Sequence, residues 1–249
     1  MNDFTEKLGL ALQEMYNRAA ACDAGLLTPV AIDRGLTLLR NLDYPDSLLN
    51  LLPQTDYERA FPLANPLTQI AAIAPKTILD LGCGGALDIF FCAHLLPGIE
   101  HLTGIDASAG LLSEGRKRLE NFPEKAKKIN LIESDLNFLD SLNLSSFDLI
   151  LMNGSFNLIY DKVSFLQTLS ELLTVDGTIL IYDFILTEHL PPGFADEIDN
   201  WLWNIGGALD DNKLKEAIDN AGLKLILIKE LERIDPVARC EILIGNSTL

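Results

Sequence analysis

Residues 77–88 read TILDLGCGGALD, and this stretch decides the fold. Its first half is an apolar run of the length typical of a buried strand, and the three glycines of the second half mark a turn. The stretch that follows, 86–96, spaces its large apolar residues as one face of a helix does. These residues are Leu87, Phe90, Phe91 and Leu95. The sequence therefore predicts a strand, a glycine loop and a helix.

A glycine loop in this position lets the backbone approach a ligand, because glycine has no Cβ and adopts positive φ. The spacing departs from the dinucleotide fingerprint G-x-G-x-x-G, since counting from Gly82 puts Leu87 where the third glycine belongs. Asp80 would also repel a pyrophosphate beside the loop. A cationic ligand fits better, because two opposite unit charges near 4 Å attract by about 4 kcal/mol at an effective dielectric near ~20.

Asp106 supplies a second carboxylate. It follows the apolar run 101–105 and lies 20 residues after Ala86, the offset at which an acidic residue reaches ribose hydroxyls. S-adenosylmethionine carries a sulfonium, an ammonium and two ribose hydroxyls, so it matches a glycine loop flanked by carboxylates. We therefore predict S-adenosylmethionine as the cofactor.

The composition of the chain limits the classes of partner that it is expected to bind. The chain has 249 residues, a net charge of −17 and 48% apolar residues, so we expect one main domain and no nucleic-acid or anionic membrane partner. The four cysteines form neither a C-x-x-C pair nor a cluster with histidine, so we expect no metal site. We also expect a cytoplasmic protein, because the first residues are acidic rather than basic.

A basic cluster stands out in this acidic chain, and we interpret it as a solvated helix face. It comprises Arg116, Lys117, Arg118, Lys125, Lys127 and Lys128.

The order of predicted helices and strands along the chain indicates two regions. Residues 1–75 form a Pro-punctuated helical extension, with helices from Phe4 to Ala21 and from Thr28 to Leu42, which we expect to be either a lid or a cap on the sheet. Residues 76–249 alternate strands with helices, as an α/β domain with a parallel sheet does, and 185–222 is a substrate-side insertion. The predicted strands are 77–81, 100–105, 129–133, 147–152 and 178–184, followed by an antiparallel pair at 223–231 and 238–244. The predicted helices between the parallel strands are 86–96, 108–121 and 162–173.

Polar residues lie at the carboxyl ends of four of these strands: Asp80, Asp106, Asp135 and Asn153. Ligands bind outside the carboxyl ends of strands in such sheets, and each residue alone could instead be a helix N-cap. Taken together they indicate a binding edge. The candidate cofactor-binding residues are Asp80, Gly82, Cys83, Gly84, Asp106, Ala107, Asp135, Leu136 and Asn153.

With these residues in place, the region from Thr77 to Ile244 resembles class I S-adenosylmethionine-dependent methyltransferases, and is most similar to arsenite methyltransferases. The resemblance implies a Rossmann-like seven-stranded sheet in the order 3-2-1-4-5-7-6, mostly parallel, with helices on both faces. It extends to shorter landmarks along the chain. These are Tyr44-Pro45, Leu52-Pro53, Asn65-Pro66-Leu67, Asn157-Leu158 and Gly207-Ala208.

Three departures stand where the resemblance implies arsenic-binding cysteines: Leu63, Gly154 and Asn204. Trivalent arsenic is held by thiolates, which these residues cannot replace. We therefore expect methyl transfer to a small or medium organic acceptor other than arsenite. A catalytically silent binding protein with the same fold is the alternative, and a nicotinamide- or nucleotide-binding enzyme is a more distant one.

Methyl transfer depends largely on positioning, and an acceptor that must lose a proton also needs a base. The candidates for this base are Asp183, Tyr160, Asp161 and His189, of which Asp183 and Tyr160 are the predicted catalytic residues. We expect the N-terminal helices and residues 185–209 to enclose the acceptor. These segments carry large apolar side chains that would otherwise be exposed to solvent: Tyr16, Phe61, Trp201 and Trp203.

Overall fold

The structure is a computed structural model that describes residues 3–22 and 33–246. Seven strands form one sheet in the order β3-β2-β1-β4-β5-β7-β6, which confirms the predicted order. The strands are β1 (Thr77–Leu81), β2 (His101–Asp106), β3 (Ile129–Glu133), β4 (Phe147–Asn153), β5 (Leu173–Leu186), β6 (Leu223–Ile234) and β7 (Val237–Asn246). Each predicted strand is present, and β5 begins five residues before the predicted start at 178.

The chain divides into two compact units. We call Leu12–Ser134 the loop unit, and we call Met1–Ala11 together with Asp135–Leu249 the hairpin unit. This division follows packing and does not test the predicted boundary at residue 75, which stays a prediction. Helix α1 (Asp3–Ala21) contributes its first turns to the hairpin unit and the rest to the loop unit.

The loop unit holds the first three strands. β1 pairs with β2 and β2 with β3, all parallel, and Asp80 lies opposite Gly104 in that register. Its remaining helices are α2 (Gly35–Asn41), α3 (Asp46–Leu49), α4 (Leu67–Ile73), α5 (Leu87–Leu95), α6 (Ala109–Glu120) and α7 (Pro123–Ala126). The predicted start of the second helix at Thr28 lies outside the described residues.

Helix α5 corrects the prediction of a single apolar face. Every residue from Leu87 to Ala93 is buried, whereas Leu95, placed on the predicted face, is 41% exposed. A helix that is apolar around its circumference is buried on all sides, and Ile89, Cys92 and Ala93 complete that circumference.

The hairpin unit holds the other four strands. β4 and β5 are parallel, and β5–β7 and β6–β7 are antiparallel, as predicted for the final pair. Its helices are α8 (Lys162–Glu171), α9 (Ile198–Leu202) and α10 (Asp211–Asn220), of which α8 and α10 are N-capped by the carboxylates of Asp161 and Asp210. In the described part of the chain, no helix has the length and apolarity that a bilayer crossing requires.

Candidate functional site

The glycine loop of the loop unit leaves β1 in a conformation that favours glycine. Gly82 and Gly84 have φ angles of 78° and 53°, and Ala86, which precedes α5, has φ 58°. The backbone N–H groups of Gly82 and Cys83 both donate to the carbonyl of Ile105, at 2.8 and 3.1 Å. The loop is therefore tied to the end of β2.

Asp106 fixes the loop from the same side. Its Oδ2 accepts from the N–H of Gly84 and its Oδ1 from the N–H of Ser108, both at 2.8 Å. Burial raises the pKa of this carboxyl, and these two N–H donors oppose that rise. Each oxygen thus accepts one backbone hydrogen bond and keeps a second lone pair for a ligand hydroxyl.

Asp80 is the most deeply buried of the loop carboxylates at 3% exposure. Burial raises its pKa well above the ordinary value, and the negative charges of Asp88 and Asp106 raise it further. Asp88 itself accepts a hydrogen bond from the Tyr44 hydroxyl at 2.6 Å. Among residues 3–22 and 33–246, neither Asp80 nor Asp106 forms an ion pair with lysine or arginine. Because burial disfavours the charged form of Asp80, a cationic ligand would stabilise that form by supplying the missing counter-ion.

Sequence reasoning did not identify the contacts that helix α1 makes with the turn after Asp106. Gln13 donates to the Ala107 carbonyl at 3.2 Å, and the Ser108 hydroxyl donates to Asn17 Oδ1 at 2.8 Å. Ser108 also N-caps α6, because its Oγ accepts from the Leu111 N–H at 3.2 Å. A serine two residues after Asp106 and directly before a helix is the signal that could have indicated this cap.

The basic cluster is not a uniformly solvated face, because Arg118 is buried and Lys125 and Lys128 are half-buried donors to backbone carbonyls. Arg116 and Lys117 are exposed, whereas Arg118 is only 5% exposed. Its guanidinium donates to the carbonyl of Gly85 and to both the side chain and the backbone carbonyl of Asp56.

In the hairpin unit, Asp183 is completely buried. Its Oδ2 accepts from the N–H of Asn157 at 2.9 Å, and its Oδ1 accepts from the Phe184 N–H at 2.8 Å and from Asn204 Nδ2 at 2.6 Å. Burial raises its pKa to about 7, against the lowering effect of the backbone donors of Asn157 and Phe184 and of the Lys162 charge. Asp183 thus joins the end of β5 to two neighbouring turns.

Lys162 is a second buried charge of this unit. Its ammonium donates to the Ile159 carbonyl at 2.8 Å and lies over the rings of Phe156 and Trp201, at 5.3 and 5.6 Å from their centroids. Burial lowers its pKa to about 8, although the charge of Asp183 opposes this. No sequence pattern marked this lysine.

A groove of about 1310 Å³ opens in the hairpin unit. Its lining includes Thr5, Tyr160, Lys162, His189, Phe194 and Trp201. Tyr160 is 45% exposed, and its ring lies 5.4 Å from that of Phe4 and 5.7 Å from that of Trp201. Trp201 is buried, with 4% exposure, and Trp203 is 37% exposed, so only one of these two tryptophans is covered.

The remaining predicted site residues also lie in the hairpin unit. Asp135 N-caps the short 3-10 helix Leu136–Ser141 through Asn137, whose N–H donates to it at 2.8 Å, and Leu136 lines the groove. Asn153 is the last residue of β4. Asp161 accepts two hydrogen bonds from Ser164 as the N-cap of α8.

Comparison with known proteins agrees with the fold. Arsenite methyltransferases from Homo sapiens and Halobacterium salinarum are 29% and 25% identical over 173 and 159 residues, or 63% and 64% of this chain. The chain spans 46% and 40% of their lengths, which is less than half of each relative.

Solved structures are similar over larger shares of the chain. An arsenic(III) S-adenosylmethionine methyltransferase from Chlamydomonas reinhardtii superposes with a TM-score of 0.65 at 20% identity, over 80% of this chain and 71% of the other. An O-methyltransferase from Brevibacillus brevis, solved with S-adenosyl-L-homocysteine, gives 0.57 at 15% identity over 89% and 84%. Because a family model described as a methyltransferase domain matches residues 74–222, and the predicted strand order is the observed one, this chain belongs to the methyltransferase-domain family.

Proposed function

We propose that this chain binds S-adenosylmethionine at the glycine loop and transfers its methyl group to a small or medium organic acceptor. One observation carries the proposal. The carboxylates of buried Asp80 and half-buried Asp106 flank the loop without an ion-pair partner among the described residues. A ligand that brings positive charge and two adjacent hydroxyls satisfies both groups, whereas a pyrophosphate would add negative charge to them.

The relatives support the same cofactor. One solved neighbour is described as an arsenic(III) S-adenosylmethionine methyltransferase, and another was solved with S-adenosyl-L-homocysteine. In this chain, Asp106 would accept the ribose hydroxyls, and the glycine loop would approach the amino-acid part of the cofactor. The bound cofactor supplies a methyl carbon already activated by the positive sulfur.

The groove of the hairpin unit is the proposed acceptor site. Apolar and aromatic walls with a few polar groups are typical of small-molecule sites. Its lining combines Thr5 of α1 with residues of the 186–196 segment, the two regions that the sequence assigned to the acceptor. Tyr160 lines this groove and is 45% exposed, which makes its hydroxyl the proposed group for removing a proton from the acceptor.

We propose a positioning role for Asp183 in place of the predicted base role. Its carboxylate already accepts three hydrogen bonds and has no exposed surface. A base must reach the proton that it removes, and Asp183 would have to leave these donors to do so. Through Asn157 and Asn204, it holds the turn that carries Gly206 and Gly207 against the Trp201 ring.

The proposed acceptor is not arsenite, because Leu63, Gly154 and Asn204 replace the thiols that the family resemblance implies. Incubation with S-adenosylmethionine and a panel of organic hydroxyl, amine and thiol compounds tests the function. Release of S-adenosylhomocysteine that depends on one class of acceptor is the expected result. Tight binding of S-adenosylhomocysteine without release for any class would favour the silent binding protein. Preference for a nicotinamide dinucleotide over S-adenosylhomocysteine would contradict the cofactor itself.

A further inference from the structure

Arg118 is a buried cation with partners on two sides of the loop unit. It emerges from α6 next to Phe90, with its guanidinium carbon 5.7 Å from the centroid of that ring. One side of the guanidinium faces Asp56, with Nε 3.3 Å from Oδ2 and Nη2 3.4 Å from the backbone carbonyl. Nη1 donates to the carbonyl of Gly85. The charge of Arg118 is therefore balanced by Asp56, while one of its donors holds the glycine loop.

The peptide unit between Gly85 and Ala86 is held at both ends. Because a trans peptide is planar, fixing the carbonyl of Gly85 also fixes the direction of the Ala86 N–H. That N–H donates to the Cys83 carbonyl at 2.7 Å, while Arg118 holds the oxygen at the opposite end.

This peptide needs such support because Ala86 has φ 58°. A non-glycine residue in the left-handed region is strained, and it persists where the surrounding contacts hold it there. Glycine at 115 lets α6 come close enough, since a Cβ there would lie 2.9 Å from the Gly85 oxygen.

We propose that Arg118 is a positioning residue that, together with Asp106, sets the glycine loop for cofactor binding. Asp106 holds the loop through the N–H of Gly84, and Arg118 holds it through the carbonyl of Gly85. Without the hydrogen bond from Arg118 to the Gly85 carbonyl, the peptide between Gly85 and Ala86 can rotate away from the loop conformation that binds the cofactor. This role rests on the proposed cofactor, but the geometry of the loop is measurable without it.

The test compares Arg118→Met and Arg118→Lys with Lys117→Met. Lys117 is the adjacent residue of α6 and, within the part of the chain that the structure describes, forms only a surface pair with Glu114. Titration calorimetry measures the affinity for S-adenosylhomocysteine. Amide hydrogen exchange at Gly84 and Ala86 in the ligand-free protein measures how readily the hydrogen bonds of the loop open. Arg118→Met should raise the Kd at least about tenfold (1.4 kcal/mol) and speed exchange at both amides. Arg118→Lys should recover part of each effect, because its ammonium still donates to Gly85, and Lys117→Met should change neither.

A folded Arg118→Met protein with wild-type affinity and wild-type exchange would overturn the proposal, as would a lower melting temperature with no change in either readout. If Arg118→Met does not fold, Gly115→Ala decides, because its added methyl displaces the same carbonyl while Arg118 remains. Weaker binding and faster exchange in Gly115→Ala support the proposal, and wild-type values overturn it. If the wild-type protein binds no S-adenosylhomocysteine, the proposed function fails. The exchange rates of Gly84 and Ala86 in Arg118→Met and wild type then still test whether Arg118 holds the loop.

Discussion

The carboxylate of Asp106 and the backbone N–H of Gly84 meet at 2.8 Å, although 22 positions separate the two residues in the chain. This contact joins the end of β2 to the glycine loop after β1. It places the carboxylate beside the part of the loop that can approach a ligand most closely, because Gly84 has positive φ and no Cβ.

The packing beneath that loop leaves no room for a side chain at Gly104. A Cβ there would lie 2.7 Å from Cys83 Sγ and 3.0 Å from side-chain atoms of Ile89 and Leu131. We expect Gly104→Ala to lower the free energy of unfolding by about 1–3 kcal/mol, the usual range for overpacking. Gly98→Ala is the matched control, since a Cβ at Gly98 meets no atom within 4 Å. Urea denaturation of both variants checks this, and equal stabilities would contradict the described packing.

The buried charges of the hairpin unit predict how stability depends on pH. The pKa of Asp183 is about 7 in the folded protein against an ordinary 3.8. Between these values the folded state keeps a proton that the unfolded state has lost, so stability falls as pH rises from about 4 to 7. The pKa of Lys162 is about 8 against 10.5, so the unfolded state holds the extra proton there and stability rises with pH across that window.

Denaturation of the wild-type protein and of one variant for each group, between pH 4 and pH 10.5, isolates these two contributions, because other buried groups such as Asp80 add to the wild-type pH dependence. Relative to the wild-type curve, Asp183→Asn should lessen the fall in stability below about pH 7, and Lys162→Met should lessen the rise above about pH 8, each by at most about 1.4 kcal/mol per pH unit. Variant curves that run parallel to the wild-type curve would show that these groups do not titrate as described.

Helix α1 makes different contacts at its two ends, and these contacts predict different losses. The Phe4 ring lies 5.4 Å from Tyr160 and 5.9 Å from Trp201, so Phe4→Ala should raise the KM of the acceptor and leave the affinity for S-adenosylhomocysteine within about twofold. Asn17→Ala loses its contact with Ser108 and should weaken S-adenosylhomocysteine binding severalfold.

Calorimetry and steady-state kinetics separate the two effects, and Lys7→Ala is the control because, among residues 3–22 and 33–246, Lys7 forms only an exposed pair with Asp3. A truncation of residues 1–25 removes both ends together, so it should weaken cofactor binding as well as acceptor binding. If Phe4→Ala and Asn17→Ala weaken the same step equally, the division of roles along α1 is wrong.

Arsenite should not be a substrate. Among the positions where the resemblance implies cysteines, Gly154 has φ 85° and Asn204 has φ 62°, and a cysteine side chain would strain both backbones. Incubation with arsenite, a thiol reductant and S-adenosylmethionine should yield no methylated arsenic by mass spectrometry, under conditions in which an arsenite methyltransferase gives product. Sustained production of methylated arsenic would contradict this part of the proposal.

Local patterns sufficed for much of the loop unit. An apolar run, glycines and an apolar helix lie within 20 consecutive residues, from 77 to 96, so the strand, loop and helix follow from short-range preferences. The offset of Asp106 from the loop is likewise a property of one βαβ unit. The full strand order came from the family resemblance, because pairing between distant strands leaves no mark in a single sequence.

The burial of Arg118 could not be read from the sequence. Its neighbours Arg116 and Lys117 are charged and exposed, so the local pattern indicates a solvated face. What buries it is an acidic partner 62 positions earlier, Asp56, and a glycine at 115 that brings the helix close to the loop. Asp183 is similar, since its three donors lie in segments that only the fold brings together.

The most direct test of the central claim is calorimetry of S-adenosylhomocysteine binding to the wild-type protein and to Asp106→Asn. The substitution preserves size but removes the charge and one acceptor, so one of the two N–H donors, from Gly84 or Ser108, loses its partner and the ribose hydroxyls lose theirs. We expect saturable one-to-one binding to the wild-type protein and a Kd at least about tenfold higher for folded Asp106→Asn, which corresponds to 1.4 kcal/mol. Equal affinities of the two proteins, or no binding to the wild type, would contradict the assignment of Asp106 and the glycine loop as the cofactor site.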